Sequence, residues 1–115
     1  MQPVVAAYLF LAIAILFEVA GTAVLVKTEQ FTRLIPTLLV ISFYVISFYF
    51  LSLSLKVIPV GIAYAIWSAV GIVCIAFIGF VFFKQSLDFP AILGISLIIV
   101  GVLVINLFSK SVTHG

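Results

Sequence analysis

The chain has 115 residues, 67% of them hydrophobic and 7% charged, with a formal net charge of +2 and a mean hydropathy of +1.57. Five basic and three acidic side chains are too few to solvate a water-soluble fold, and so apolar a composition also excludes a disordered chain. The pI near 8.9 reflects that small basic excess rather than a basic patch, so no nucleic-acid partner is expected, and the single cysteine, Cys74, forms neither an internal disulfide nor a CxxC site.

In chain order, uninterrupted apolar runs cover residues 4–26, 34–55, 60–83 and 91–108. Each falls in the range of about 17–25 residues that crosses a bilayer as a helix. A strand reading would need short alternating segments closing into a barrel, which continuous runs of this length are not. The expectation is an all-α integral membrane protein, a single four-helix domain over residues 1–115 with no separate soluble part. The joints are KTEQFTR, KVIP and KQSLDFP, and every charge except Glu18 lies in a joint or in the tail. Pro3, Pro36, Pro59 and Pro90 each stand at or near the start of a run, where a missing N–H and a fixed φ do least harm. The first run lacks a basic leader and a small-residue cleavage site before Lys27, so it reads as a mature helix rather than a secretory signal.

The first run carries the one intramembrane ionisable group, Glu18, within AILFEVAGT. A carboxylate there costs at least about 2–3 kcal/mol, and the nearest joint begins at Lys27, more than two turns away, too far for snorkelling. Leu11, Ala14, Ile15, Gly21, Thr22 and Leu25 share its helical face at offsets of three, four and seven. Ala14 and Gly21 leave space beside the acid, either for close helix approach or for a ligand, and Thr22 offers a hydroxyl. In hydrocarbon the anion is stabilised by a proton or by another cation, so one acidic site holds the two in turn. Such exclusion suffices for antiport if access alternates between the two faces of the membrane.

The second run contributes Tyr44 and Phe48 on one face at i and i+4. The third opens PVGIAYAIWSAVG, placing Tyr64, the only tryptophan Trp67, and Gly71 on one stripe with Ser68 beside it. On position alone, Tyr64 and Trp67 read equally as an interfacial aromatic belt or as a cation–π wall for a lipophilic cation. The fourth run carries Gly94 and Gly101 seven residues apart, which is a small-residue seam or simply the usual glycine content of membrane helices.

Through AILFEVAGT, FTRLIP, PVGIAYAIWSAVGI and LDFPAILGISLIIVGVLVINLFS, nearly the whole chain resembles the small multidrug resistance family of bacterial four-helix proton-coupled antiporters. The resemblance implies an antiparallel homodimer in the inner membrane, whose two Glu18 residues bind protons and substrate in turn. The substrates it implies are aromatic and quaternary ammonium compounds such as ethidium, methyl viologen and benzalkonium. By the same resemblance Tyr64 and Trp67 contact substrate, Tyr44 and Phe48 match the helix-two positions, and Ala14, Ile15, Gly21 and Thr22 line the pocket. Ser68 lies beside it, helix four is the dimerisation arm, and no cofactor, metal or enzymatic activity is implied. Two departures stand out. Where the family often has GVG in helix three, this chain has Ala69, Val70 and Gly71, leaving Gly71 as the hinge; and the basic residue at the end of helix one, Lys27, comes one position late. Guanidinium exporters of the family typically carry a bulky aromatic one turn after the acid, and Gly21 there favours the lipophilic-cation branch.

A guanidinium or polyamine exporter of the same family is the nearest alternative. A rotary-ATPase proteolipid would show a two-span length or a repeated acidic helix, and a non-transporting interaction subunit would need neither a buried acid nor an aromatic wall. With four spans, Lys56 and Lys110 fall on one side, joined by the terminal amine and His114, and Lys27, Arg33 and Lys84 on the other. This is almost no positive-inside bias. Insertion in both orientations is therefore expected: a C-terminal reporter active on only one membrane face should give signal with either type of reporter, and a strictly one-sided signal would contradict it.

Overall fold

A computed structural model describes residues 3–110, so the terminal amine and His114 lie outside the described residues. Four helices account for nearly all of it: α1 (Pro3–Leu25), extended by a 3₁₀ turn over Val26–Thr28, α2 (Leu34–Ser54), α3 (Val60–Phe82) and α4 (Phe89–Phe108). Each is long and apolar enough to cross a membrane. The helix starts have local causes. Pro59 stands just before α3 in extended geometry, and α4 begins two residues ahead of the apolar run counted from sequence because Asp88 caps it, its Oδ1 accepting from the Ala91 N–H at 3.0 Å. The first joint coils left-handed through Glu29, Gln30 and Phe31, with φ of 49°, 61° and 65°. Non-glycine residues resist this by about 1–2 kcal/mol each. Buried Thr28 holds the turn: its hydroxyl donates to Leu25 O at 2.7 Å and accepts from the Phe31 N–H, while its carbonyl accepts from the N–H groups of Thr32 and Arg33.

The helices form a flattened body of 44 × 35 × 19 Å. At its centre α1 packs most extensively on α2 and then on α3. Ala7, Leu11, Ala14, Glu18 and Gly21 recur along α1 at alternating spacings of four and three, the seam spacing of packed helices. Every second member of that seam is small, at positions 7, 14 and 21, which lets α2 approach closely. Ala7, Leu11, Ile15 and Val19 join Ile58 and Ala63 in the apolar core. Along the α1–α2 contact the Phe17 and Phe50 rings stack with centroids 6.5 Å apart, flanked by Phe10 and Phe43.

Hydroxyls in a membrane helix must find partners without water. On α2, Thr37, Ser42, Ser52 and Ser54 each donate to a carbonyl three or four residues back in their own chain. Ser47 instead reaches across and donates to Ala14 O at 2.7 Å, fully buried. It fixes α2 against α1 one turn before Glu18. The last helix is different again. α4 lies against α3 but has no buried residue, and at both Gly94 and Gly101 nothing among the described residues beyond the local helix backbone stands within 4 Å of where a Cβ would be. The joint from α3 to α4 turns at Lys84, whose φ is 56°.

The cross-helix bond predicts that Ser47→Ala lowers the unfolding free energy in bicelles by about 1 kcal/mol. Ser52→Ala, which loses only a bond within its own helix, should have a clearly smaller effect.

Candidate functional site

Glu18 sits two-thirds along α1, half-buried, facing the crevice between α2 and α3. The seam that packs α1 onto α2 also points this carboxylate inward. One turn later Thr22 donates to Glu18 Oε1 at 2.9 Å, and the Thr22 hydroxyl lies 2.8 Å from the Tyr44 hydroxyl. Thr22 has a single hydroxyl proton and gives it to the carboxylate, so Tyr44 is the donor in the second bond. A chain of hydroxyls thus runs from α2 to the acid, Tyr44 to Thr22 to Glu18.

Two open cavities meet at Glu18 and Trp67. The larger, about 330 Å³, is lined by Glu18, Trp67, Ser68, Gly71, Ile72 and Ile75 together with Ala76. The smaller, about 200 Å³, lies between α2 and α3 and is lined by Glu18, Tyr44, Phe48, Leu51, Tyr64 and Trp67. The Trp67 ring stands between them, stacked on Phe48 with centroids 6.3 Å apart and a 27° interplanar angle, and 6.5 Å from Tyr64. Among the described residues no basic side chain lines either cavity. One acid, four aromatic side chains, one serine and otherwise aliphatic walls form a surface whose net electrostatic preference is for positive charge, reinforced by ring faces that attract cations. Volumes of this size match pockets for small organic molecules. Among the described residues no group of three or more His, Cys, Asp or Glu is placed to hold a metal ion.

The structure brings Glu18, Thr22, Tyr44, Phe48, Tyr64, Trp67, Ser68 and Gly71 to one place. It separates three others from it. Ala14 is completely buried against α2, its carbonyl taken by Ser47, and lines neither cavity. Ile15 points into the core and toward a separate apolar hollow with Tyr8, Ile66 and Cys74. Gly21 does not leave room for a ligand: a Cβ there would lie 2.7 Å from Tyr44 Cε1 and 3.3 Å from Phe43 Cβ, so the space is filled by the Tyr44 ring. The small residue at 21 therefore seats the aromatic that a bulkier side chain would displace. Gly71 adjoins the acid directly, with a hypothetical Cβ 3.8 Å from Glu18 Oε2 and 3.6 Å from Trp67 Cδ1, and α3 runs helical through it.

Sequence reasoning missed Ser47, Leu51, Ile72, Ile75 and Ala76. Ser47 and Leu51 share the helical face of Tyr44 and Phe48, at offsets of three and seven from Tyr44, and that periodicity was the available signal. The seat for Tyr44 predicts that Gly21→Ala forces a rigid ring and the backbone of α1 apart, at a cost of about 1–3 kcal/mol. The same variant should weaken cation binding, read as a change in the fluorescence of the single tryptophan, Trp67; unchanged stability and affinity would contradict the assignment.

Residues 6–98 match the family described as Small Multidrug Resistance protein. The chain is 52% identical over 107 residues to the Multidrug transporter EmrE of Escherichia coli strain K12, covering 93% of this chain and 97% of that protein. It is 50% identical, with the same coverage, to the Quaternary ammonium compound-resistance protein QacF of Klebsiella aerogenes and to QacE of Escherichia coli. A match over most of the chain, with the buried acid and the aromatic wall assembled at one crevice, makes this protein a member of the small multidrug resistance family.

Proposed function

We propose that the protein exports lipophilic and quaternary ammonium cations across the bacterial inner membrane in exchange for protons, with Glu18 as the group that holds each in turn. The family is one of transporters rather than enzymes, and relatives of this chain carry names for multidrug transport and quaternary ammonium resistance. The observation that carries the reading is the sharing of one carboxylate and one indole between two cavities that hold no other charged side chain among the described residues.

The chemistry follows from charge neutrality. A lipophilic cation entering beside Glu18 stacks on Trp67, Tyr64 and Phe48 and is paired by the carboxylate, whose Oε1 is oriented by Thr22. The proton on the acid must leave for this pairing to form, and its return expels the cation. Quaternary ammonium groups have no N–H to donate, so recognition relies on charge and ring faces and tolerates varied shapes. Tyr44 occupies the space beside Gly21 and closes that side of the pocket with a hydroxyl rather than a second acid.

Both cavities are open in one chain, and α4 presents Gly94 and Gly101 to nothing. An antiparallel homodimer supports both facts at once: α4 pairs along its glycine seam, and the partner's helices complete the pocket walls. In such a dimer the inward-open and outward-open forms are the same structure seen from opposite faces, so their free energies match and access alternates readily. Flexing at Gly71, beside the acid, is the movement assigned to α3.

In cells stripped of other exporters, Glu18→Gln should lose resistance to ethidium and quaternary ammonium compounds, since the amide keeps the shape but neither binds a cation nor exchanges a proton. A Gly94→Leu/Gly101→Leu double variant should run as a monomer in detergent and transport nothing. Retained resistance in the first, or an active dimer in the second, refutes the corresponding part.

A further inference from the structure

The end of α3 is closed by more than a helix stop. The N–H groups of Phe83 and Gln85 both donate to Gly79 O, at 3.1 and 2.9 Å, and the left-handed turn at Lys84 brings the chain back over the helix. The Gln85 side chain then lies on Gly79, so closely that a Cβ on Gly79 would be 2.9 Å from Gln85 Oε1. The two backbone bonds end the helix without any help from that side chain. Beneath the amide is a cavity of about 100 Å³, whose lining includes Thr22 and Ala23 of α1, Val26 of the 3₁₀ turn, Ile75 of α3, Phe83 and Gln85 itself.

This cavity is set apart from the cation pocket but touches it. Ile75 lines both it and the larger cavity at Glu18, and Thr22, which lines it, donates directly to Glu18 Oε1. Val26 and Phe83, which line it, stand at the ends of the first and third helical segments, each followed in sequence by a lysine, Lys27 and Lys84. At about 30 Å³ per water it has room for roughly three, with a hydroxyl at the inner end and an amide at the outer one. The walls between are apolar, with one ring, Phe83, and no acidic side chain among the described residues to pair with an organic cation, but they are adequate for a short file of water.

We infer that this cavity is a water passage delivering protons to Glu18, separate from the route of the organic cation, and that Gln85, seated on Gly79, is its gate. The inference rests on the proton-coupled reading above and adds the path and the residue that controls it. A proton arrives as hydronium and leaves water behind; Thr22 takes one proton from the water file as it gives its own to Glu18 Oε1, so the hydroxyl stays a hydroxyl and the carboxylate becomes a carboxyl. With Gln85 in place the file is broken at its outer end, which limits the entry of protons when no cation is being exchanged. Gln85 touches neither the acid nor the cation pocket and acts as a positioning residue.

The test uses the full chain in liposomes, with Ala23→Cys as a reporter inside the passage in a Cys74→Ser background. Labelling by an anionic methanethiosulfonate reads access of water-soluble molecules, pyranine trapped in the liposomes reads proton leak without substrate, and Trp67 fluorescence reads binding of tetraphenylphosphonium. Gln85→Ala removes the gate, and Gly79→Ala pushes the flexible amide off its seat. Each should raise labelling and leak about tenfold, as removal of a modest barrier implies, with tetraphenylphosphonium affinity unchanged. Unaltered labelling and leak in Gln85→Ala, with affinity intact, overturns the gate; faster labelling without faster leak overturns the proton role. Should Gly79→Ala fail to fold, Gln85→Ala decides alone. Tetraphenylphosphonium binding that persists in Glu18→Gln would sink the antiport reading instead, while the labelling contrast would still stand or fall by itself.

Discussion

A carboxylate inside a bilayer has no water to stabilise its charge, and nearly everything about this fold around Glu18 answers that constraint. The acid occupies a seam position of α1, where a hydrophobic residue would ordinarily pack the helix onto its neighbour. Its cost of a few kcal/mol is offset in part by the Thr22 hydroxyl at 2.9 Å, itself supplied with a hydrogen bond by Tyr44. Among the described residues no basic side chain in either adjoining cavity neutralises it. The site is left unsatisfied by one positive charge, and a site with that deficit takes whichever positive charge the surroundings deliver.

The packing of α1 against α2 serves the same end. Small residues at 7, 14 and 21 draw the helices together, and Ser47 fastens them through Ala14 O one turn before the acid. Gly21 gives the Tyr44 ring its seat, and the ring sets its hydroxyl on Thr22. Orientation of the carboxylate therefore depends on a contact between two helices rather than on a single side chain. α3 contributes the opposite quality, a broad face of Tyr64, Trp67 and Gly71 that borders the acid without bonding to it. One wall of the crevice is fixed by hydrogen bonds and the other is held by apolar contact, which is the weaker constraint on movement.

Much of this was legible in the chain. The four runs were plain because lipid demands continuous apolar length, and Glu18 was plain because no other Asp, Glu, Lys, Arg or His stands within a run. Tyr44, Phe48, Tyr64 and Trp67 shared helical faces that sequence spacing exposes. What spacing leaves open is which side of a small residue faces a neighbour. Ala14 and Gly21 have the composition of a pocket wall, yet they are packing surfaces, because close helix approach and room for a ligand call for the same small side chains. Ser47 was hidden for a related reason: a serine in a membrane helix normally bonds to its own backbone, as Ser42 and Ser52 do, and only the registry of α2 on α1 shows that Ser47 does not. Asp88 looked like one more joint charge until the start of α4 revealed it as a cap.

The central claim is that cation and proton compete for the same carboxylate. It is tested most directly by adding tetraphenylphosphonium to the purified protein in weakly buffered solution and following the pH. Release of protons in step with cation binding, and neither release nor binding in Glu18→Gln, is the predicted result. Saturable binding of the cation to the unaltered protein with no proton released, at any pH where Glu18 carries its proton, would contradict it.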